Sequence, residues 1–206
     1  MIIHTMEQRT PEWYEVKLGK IGASSMSNVL ATGRGQSESK TRKSYMMKLL
    51  AERDTGVSSS NYCNDAMLYG IENEDYARNA YEMETGNTVE QVGFVELSEF
   101  VGCSPDGLVG DDGLLEIKVP NSDTHLSYIL ENRIPPEYVL QVQTQLWVTG
   151  RKWLHFVSYN PRSKWKPFWM IETKRDEKKI KEIETGVESF VNELLEIERV
   201  IKNENK

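Results

Sequence analysis

The 206-residue chain is 38% hydrophobic and 28% charged, with a formal net charge of -7 at pH 7; this is the composition of an ordinary folded protein and not of a disordered one. No apolar stretch approaches the roughly 20 residues of a membrane span, and Met1-Ile2-Ile3-His4 lacks the basic and apolar regions of a signal peptide, so a cytoplasmic protein without a membrane partner is expected. Two cysteines, Cys63 and Cys103, are too few for a disulfide scaffold, a structural zinc site or a four-cysteine iron-sulfur cluster, and both are expected as reduced thiols.

The length suits one domain spanning 1–206 with a substantial core. Charge is not evenly spread. Residues 1–60 carry 9 basic and 6 acidic side chains, 61–120 carry 2 and 13, and 121–206 carry 14 and 13. Acid gathered in the middle suits cation binding or simply solvates a helix face, while basic flanks can hold phosphates.

In chain order, Thr10-Pro11-Glu12 predicts a helix start, with a capping hydroxyl and a proline in the first turn. Trp13, Tyr14 and Leu18 form its apolar side and Gly19 ends it. Ile21-Gly-Ala-Ser-Ser leads into a second short helix running to Leu30, where Ser24 or Ser25 acts as a cap or as part of a phosphate site. Thr32 to Lys43, rich in Gly, Ser, Arg and Lys, reads as a mobile loop with Arg34 near its start; such a loop is either solvated or a DNA-gripping arm. Ser44 to Arg53 has helical spacing and stops at Gly56.

Asp65 to Thr85 predicts a long helix, with Leu68, Ala77, Ala80 and Tyr81 on its buried side and Gly86 as its cap. Glu72, Glu74, Asp75, Glu82 and Glu84 decorate it, and composition does not choose among them. Val89 to Leu97, Val101 to Val109 and Leu114 to Val119 predict a three-stranded meander. Ser122 to Glu131 and Glu137 to Val148 read as helices; on the second, Gln141 and Gln145 share a face and read as exposed. Strands follow at Trp153 to Tyr159 and Phe168 to Glu172, then an amphipathic helix over 176–202. Between those strands, Asn160-Pro-Arg-Ser-Lys-Trp-Lys166 mixes base with aromatic, a pattern of nucleic-acid contacts and also of plain surface turns. The expected fold is α/β, a mixed central sheet flanked by helices.

The chemistry concentrates in residues 103 to 118. Side chains alternate across a strand, so Glu116 and Lys118 share one face while Leu115, Ile117 and Val119 take the other. Asp112-Gly113 favours a tight turn that brings Asp106 near Glu116. Two carboxylates and the backbone carbonyl of Ile117 offer a hard divalent cation such as Mg2+ oxygen ligands. Lys118 is placed to orient a metal-bound water and stabilise the charge that develops at phosphorus. An acid and a lysine two apart on a strand are commonly a solvated pair. Here they lie in an apolar run, an aspartate follows a proline on the preceding strand, and the pattern Pro105-Asp106-x9-Glu116-x-Lys118 reads as the P-D-(D/E)-x-K nuclease signature.

Six segments in order, Lys17-Leu-Gly-Lys-Ile-Gly-Ala-Ser24, Cys103-Ser-Pro-Asp-Gly-Leu108, Leu115-Glu-Ile-Lys-Val-Pro120, Gln141-Val-Gln143 with Trp147-Val-Thr149, Asn160-Pro-Arg162 and Arg175-Asp-Glu-Lys178, resemble the phage lambda exonuclease family of YqaJ-like viral recombinases. That resemblance implies a PD-(D/E)xK nuclease-like fold and a Mg2+-dependent exonuclease with two ions, which Mn2+ can replace. It implies entry at the end of linear double-stranded DNA, release of 5'-mononucleotides from the 5'-ended strand and a 3' overhang. Ring-shaped homotrimers and a single-strand annealing partner in phage-type recombination, in the host cytosol, are implied as well. By resemblance, Asp106, Glu116 and Glu74 are metal ligands, Lys118 positions water and Gln141 lines the site. Ser24 and Ser104 match the 5'-phosphate pocket and Arg34 the loop that grips duplex. Lys17 stands where the family often has arginine, and a lysine lacks the bidentate fork. The alternatives are another nuclease on the same core, endonuclease or single-strand exonuclease, and a non-catalytic DNA-binding recombination accessory protein.

Overall fold

The computed structural model describes residues 1–33, 39–58 and 65–202; Arg34 and Cys63 lie outside these. In chain order the elements are β1 (Ile2–His4), α1 (Pro11–Lys17), β2 (Ile21–Gly22), a 3-10 turn (Ala23–Ser25), α2 (Met26–Val29), α3 (Lys40–Thr55) and α4 (Asp65–Thr85). Five strands follow: β3 (Val89–Glu90), β4 (Phe94–Ser98), β5 (Val101–Cys103), β6 (Gly107–Val109) and β7 (Gly113–Lys118). The chain closes with α5 (Ser122–Glu131), α6 (Pro136–Thr149), β8 (Trp153–Tyr159), β9 (Phe168–Lys174) and α7 (Glu177–Ile201). Among the described residues no helix is long and apolar enough to cross a membrane.

The fold is the expected mixed α/β arrangement, yet the meander is divided. Sheet order is β1-β4-β5-β2 in one sheet and β3-β6-β7-β8-β9 in the other. Val89–Glu90 pairs with β6, whereas Phe94–Ser98 pairs with β5, so the stretch from Val89 to Leu97 changes sheets at Gln91-Val92-Gly93. The stretch from Val101 to Val109 changes sheets too, at Ser104-Pro105-Asp106. Proline has no N–H to give a ladder, which breaks the strand there. Gly93 sits where a Cβ would stand 2.2 Å from the Met6 carbonyl oxygen, so this crossing needs glycine.

In the five-stranded sheet β7 is central. It runs antiparallel to β6, with Gly107 opposite Leu115, and parallel to β8, with Glu116 opposite Phe156 and Lys118 opposite Ser158. One face packs Leu115, Ile117 and Val157 on Ala77 and Tyr81 of α4. The main core, including Leu114, Phe156 and Leu146, lies with α6 and α7 on the other face. Glu116, on that second face, points toward α6.

Helix boundaries follow their chemistry. Thr10 caps α1 through the Trp13 N–H, and Gly19 follows its end at φ +63. Helix α3 begins earlier than the expected Ser44, at Lys40, because Ser39 supplies the cap by accepting from the Arg42 N–H. The long helix α4 is placed as expected, but Leu68 is exposed while Ala77 and Tyr81 are buried. Strand β1 was not expected: three residues at a sheet edge, with Ile2 and Ile3 exposed, carry no readable periodicity.

Candidate active site

The site is built where β6 begins beside β7. Asp106 closes the strand break, its backbone N–H donating to the Leu115 carbonyl at 3.1 Å. Its Oδ2 accepts from the Ile117 N–H at 2.6 Å. The last β6 rung lies at Gly107 and Leu115, so no β6 residue stands opposite Ile117. N–H and C=O of one strand residue face the same neighbour, so the Ile117 carbonyl faces the Asp106 side.

Glu116 is buried at 2% exposure and is held by three donors. Lys118 Nζ donates to Oε1 at 2.5 Å, Gln141 Nε2 to the same oxygen at 2.6 Å and Gln145 Nε2 to Oε2 at 2.7 Å. The glutamines come from successive turns of α6 and are not the exposed pair that spacing suggested. Gln145 is buried at 1% exposure, and its Oε1 has no hydrogen-bond partner. Turning the amide around would set that oxygen against the Glu116 carboxylate, which fixes its orientation. Lys118 also stacks over Tyr138, 4.8 Å from the ring centroid.

Burial, and then the charges of Glu116 and Glu74, push the Asp106 carboxyl well above the usual carboxylate range, with Lys118 and the Ile117 N–H pulling it back. Burial works against the Lys118 ammonium, but Glu116 and Asp106 outweigh it and its pKa moves up. Lys118 is therefore a cation at neutral pH. Cys103, three residues before Asp106, is a buried free thiol pushed up by burial and by Glu116, hence no nucleophile.

Glu74 of α4 reaches this neighbourhood already engaged. Its Oε2 accepts from Arg9 at 2.6 Å and its Oε1 from Arg78 at 2.9 Å. Arg9 has φ +71, a left-handed conformation uncommon for a residue with a Cβ, which the sequence does not advertise. Arg9, Glu74 and Asp106 line one cleft of about 390 Å³. Arg9 also lines a neighbouring cleft of about 610 Å³ with Lys17, Lys20, Ser24 and Lys48.

Lys17 Nζ lies 3.3 Å from the centroid of the Trp13 ring. Burial pushes its pKa down to about 8, against the pull of Glu52 and with Lys48 and Arg9 adding repulsion. Ser24 stands exposed on the cleft wall, and neither turn start here, Gly22 or Ser25, has a side-chain cap. Ser104 Oγ accepts from Trp13 Nε1 at 3.0 Å, tying the Asp106 segment to the cleft wall.

The structure thus brings Asp106, Glu116, Lys118 and Gln141 together, sets Glu74 beside Asp106, and groups Lys17 with Ser24 one cleft away. Gln145 and Arg9 join them without having been singled out, although Gln145 lay on the same helix face as Gln141. Among the described residues no three His, Cys, Asp or Glu side chains gather into a metal-binding group. The donor chemistry nevertheless fits a hard cation: two hard carboxylates, one with its pKa pushed up by burial and then by its acidic neighbours, beside a carbonyl that faces the same side. Glu74 would join them only by leaving its arginines.

Fold and site together define a PD-(D/E)xK nuclease-like protein. The YqaJ-like viral recombinase domain matches over residues 12–152, and the chain belongs to that family. The chain is similar to the alkaline exonuclease LHK-Exo from Laribacter hongkongensis, at 39% identity over 95% of this chain and 97% of that one, with a TM-score of 0.85. The same enzyme in complex with dAMP superposes at 0.86 with the same identity and coverage. A phage related exonuclease from Haemophilus somnus 129PT shares the fold at TM-score 0.70, with 15% identity over 90% of this chain and 96% of its own. No curated protein matches the chain.

Proposed function

We propose that the chain is a Mg2+-dependent 5'-to-3' exonuclease on linear double-stranded DNA, releasing 5'-mononucleotides and leaving a 3' overhang for strand annealing in phage-type recombination. The observation that carries this reading is Glu116, held by Lys118, Gln141 and Gln145 beside Asp106. A carboxylate so fixed, next to a second one raised by burial and by its acidic neighbours, suits metal-assisted hydrolysis better than a structural ion pair. That LHK-Exo has been solved with dAMP, a deoxynucleoside monophosphate, agrees with mononucleotide release.

Asp106, Glu116 and the Ile117 carbonyl would hold Mg2+ or Mn2+, two ions in all, with Glu74 completing the metal site. Bound there, such ions supply an activated water and stabilise the leaving oxygen. The chain's own part is positioning. Lys118, protonated and within reach of Glu116 Oε1, orients the attacking water and offers positive charge to the transition state. Gln141 and Gln145 fix the Glu116 oxygens so that they need not reorganise during the reaction. Lys17 and Ser24, with Ser104 behind Trp13, bind the terminal 5'-phosphate; Arg34 is assigned to duplex DNA by resemblance alone. A ring-shaped homotrimer around the duplex and a single-strand annealing protein complete the proposal.

The test is digestion of linear duplex labelled separately at each end, with and without a 5'-phosphate, in Mg2+ or chelator. Wild type is expected to release mononucleotides from the 5'-phosphorylated strand only with metal, and Glu116→Gln and Lys118→Ala to release none. Binding without release under any divalent metal would instead make the chain a recombination accessory protein. Internal cuts, or preference for single strands, would make it a different nuclease on the same core.

A further inference from the structure

The turn between β8 and β9 is built more firmly than a solvated loop requires. Asn160 donates from its backbone to nothing local but to the Pro167 carbonyl at 2.8 Å across the turn; its Nδ2 reaches Ser122 Oγ at 3.1 Å and its Oδ1 accepts from the Arg162 N–H at 2.9 Å. The Ser163 N–H donates to the Asn160 carbonyl at 3.0 Å. His125 of α5, fully buried, touches Ser158 Oγ through Nδ1 and the Lys166 carbonyl through Nε2, each at 2.7 Å. Arg162 lies over Tyr69 of α4, 4.4 Å from the ring centroid.

This braced turn displays Trp165 at 88% exposure. An indole left in water forfeits its large burial energy, so a rigid frame that presents one is an informative exception. Around it, Arg162, Lys164 and Lys166 are all exposed, and none forms an ion pair among the described residues. Elsewhere on the surface such pairing is common, as in Lys152 with Asp112, Lys179 with Glu182 and Arg133 with Glu131. Three cations without a carboxylate partner among the described residues, one of them resting on Tyr69, beside a bare aromatic face match a nucleic-acid strand: bases stack on the ring while phosphates meet the charges. A stacked duplex keeps its base faces covered, so the aromatic part of this surface suits unpaired bases.

Position agrees. Strands β7 and β8 run parallel with Lys118 opposite Ser158, so the turn begins two residues past that rung, at the same end of the sheet. We propose that the β8–β9 turn is a second DNA contact that takes an unpaired strand, its bases on Trp165 and its phosphates on Arg162, Lys164 and Lys166. That this strand is the overhang left by digestion rests on the function proposed above; the contact itself does not.

The test separates the two. Fluorescence anisotropy with a labelled oligo-dT strand, and with a blunt duplex of equal length, is measured in chelator so that no turnover is needed. Trp165→Ala is expected to weaken single-strand binding by roughly 5- to 160-fold, the range for loss of one stacked base. Trp165→Phe should retain most of the affinity, and duplex binding should move far less. Lys164→Gln with Lys166→Gln should flatten the dependence of log affinity on log salt by about 1.4 for a single strand. Because Trp165 is exposed, the fold should survive, which circular dichroism checks. Unchanged single-strand affinity in Trp165→Ala overturns the proposal. So does an equal loss on both DNAs, or a loss of self-association with DNA binding intact, which would make the turn an interface between copies. Trp165-dependent strand binding by a protein that digests nothing would uphold the contact and sink the nuclease reading.

Discussion

Asp106 carries two loads, an anchor on the Ile117 N–H and a carboxyl raised by burial and by Glu116 and Glu74. Its folded pKa stands above its unfolded one, so its contribution to stability is present below the ordinary aspartate range and is lost as pH rises toward the raised value. As pH rises above the ordinary aspartate range, this buried carboxyl therefore costs folding energy. Asp106→Asn, which keeps an acceptor for the Ile117 N–H, should raise the melting temperature in chelator by about 2–4 °C per kcal/mol relieved. Mg2+ should stabilise the wild type and not the variant, a readout independent of activity. Lys17 argues in the opposite sense. With its pKa near 8, a free-enzyme ammonium is lost as pH climbs past that value, and preference for a 5'-phosphorylated end should fade there. Lys17→Arg should hold that preference to higher pH, measured as the ratio of digestion rates on phosphorylated and unphosphorylated ends. Spacing and the PD-x9-E-x-K pattern singled out Asp106, Glu116 and Lys118 in the sequence, and the fold brings these three together. Arg9 was not legible, since its left-handed backbone and its reach to Glu74, 65 residues away, depend on tertiary contacts.

Helix α6 shows what one element adds to the residues it carries. Gln141 and Gln145, one turn apart, grip the two oxygens of one carboxylate. Replacing Gln145 by Leu removes a charge-assisted hydrogen bond worth about 1.5–3 kcal/mol, but also removes a buried acceptor without a partner, whose burial costs about 1–3 kcal/mol. The two nearly cancel in stability. Turnover has no such offset, so kcat should fall roughly 10- to 100-fold with the denaturation midpoint little changed, and Gln145→Asn should not restore it because its amide is too short. That these glutamines share a face was legible; that the face is buried was not, because Glu116 arrives from a strand in the other half of the α/β unit. The same distinction governs the strands. Helix α5 and strand β8 were placed to the residue, since α5 ends on Asn132 in the left-handed conformation and β8 carries its own alternation. The division of the meander was not, because two- and three-residue strands choose partners by tertiary packing, as where Gly102 lies under the Phe94 ring.

At the scale of the whole molecule, the acid-rich middle third resolves into specific employment. Glu74 meets Arg9 and Arg78, Glu96 meets His4, Asp112 meets Lys152, Glu82 accepts from the Val89 N–H, and Asp106 with Glu116 forms the candidate site. The negative net charge is thus no obstacle to DNA: much of the acid is engaged, while the 610 Å³ cleft and the β8–β9 turn are lined with cations. On the proposed ring assembly, light scattering should return three times the 23.7 kDa of one chain, and a monomer at assay concentration would remove the topological basis for processive digestion.

The crossing between the two sheets has a metric consequence. In the proposed function Ser104 belongs to the phosphate side and Asp106 to the reacting side, and two residues of extended chain span at most about 7 Å. Pro105 locks one dihedral of that span, and its carbonyl is pinned by Gln8 at 3.0 Å. On the proposed chemistry the backbone here is a ruler: the interval between the anchored end of the strand and the bond to be broken is written into Ser104-Pro105-Asp106. Product size is then set by covalent geometry, and the enzyme has no need to count.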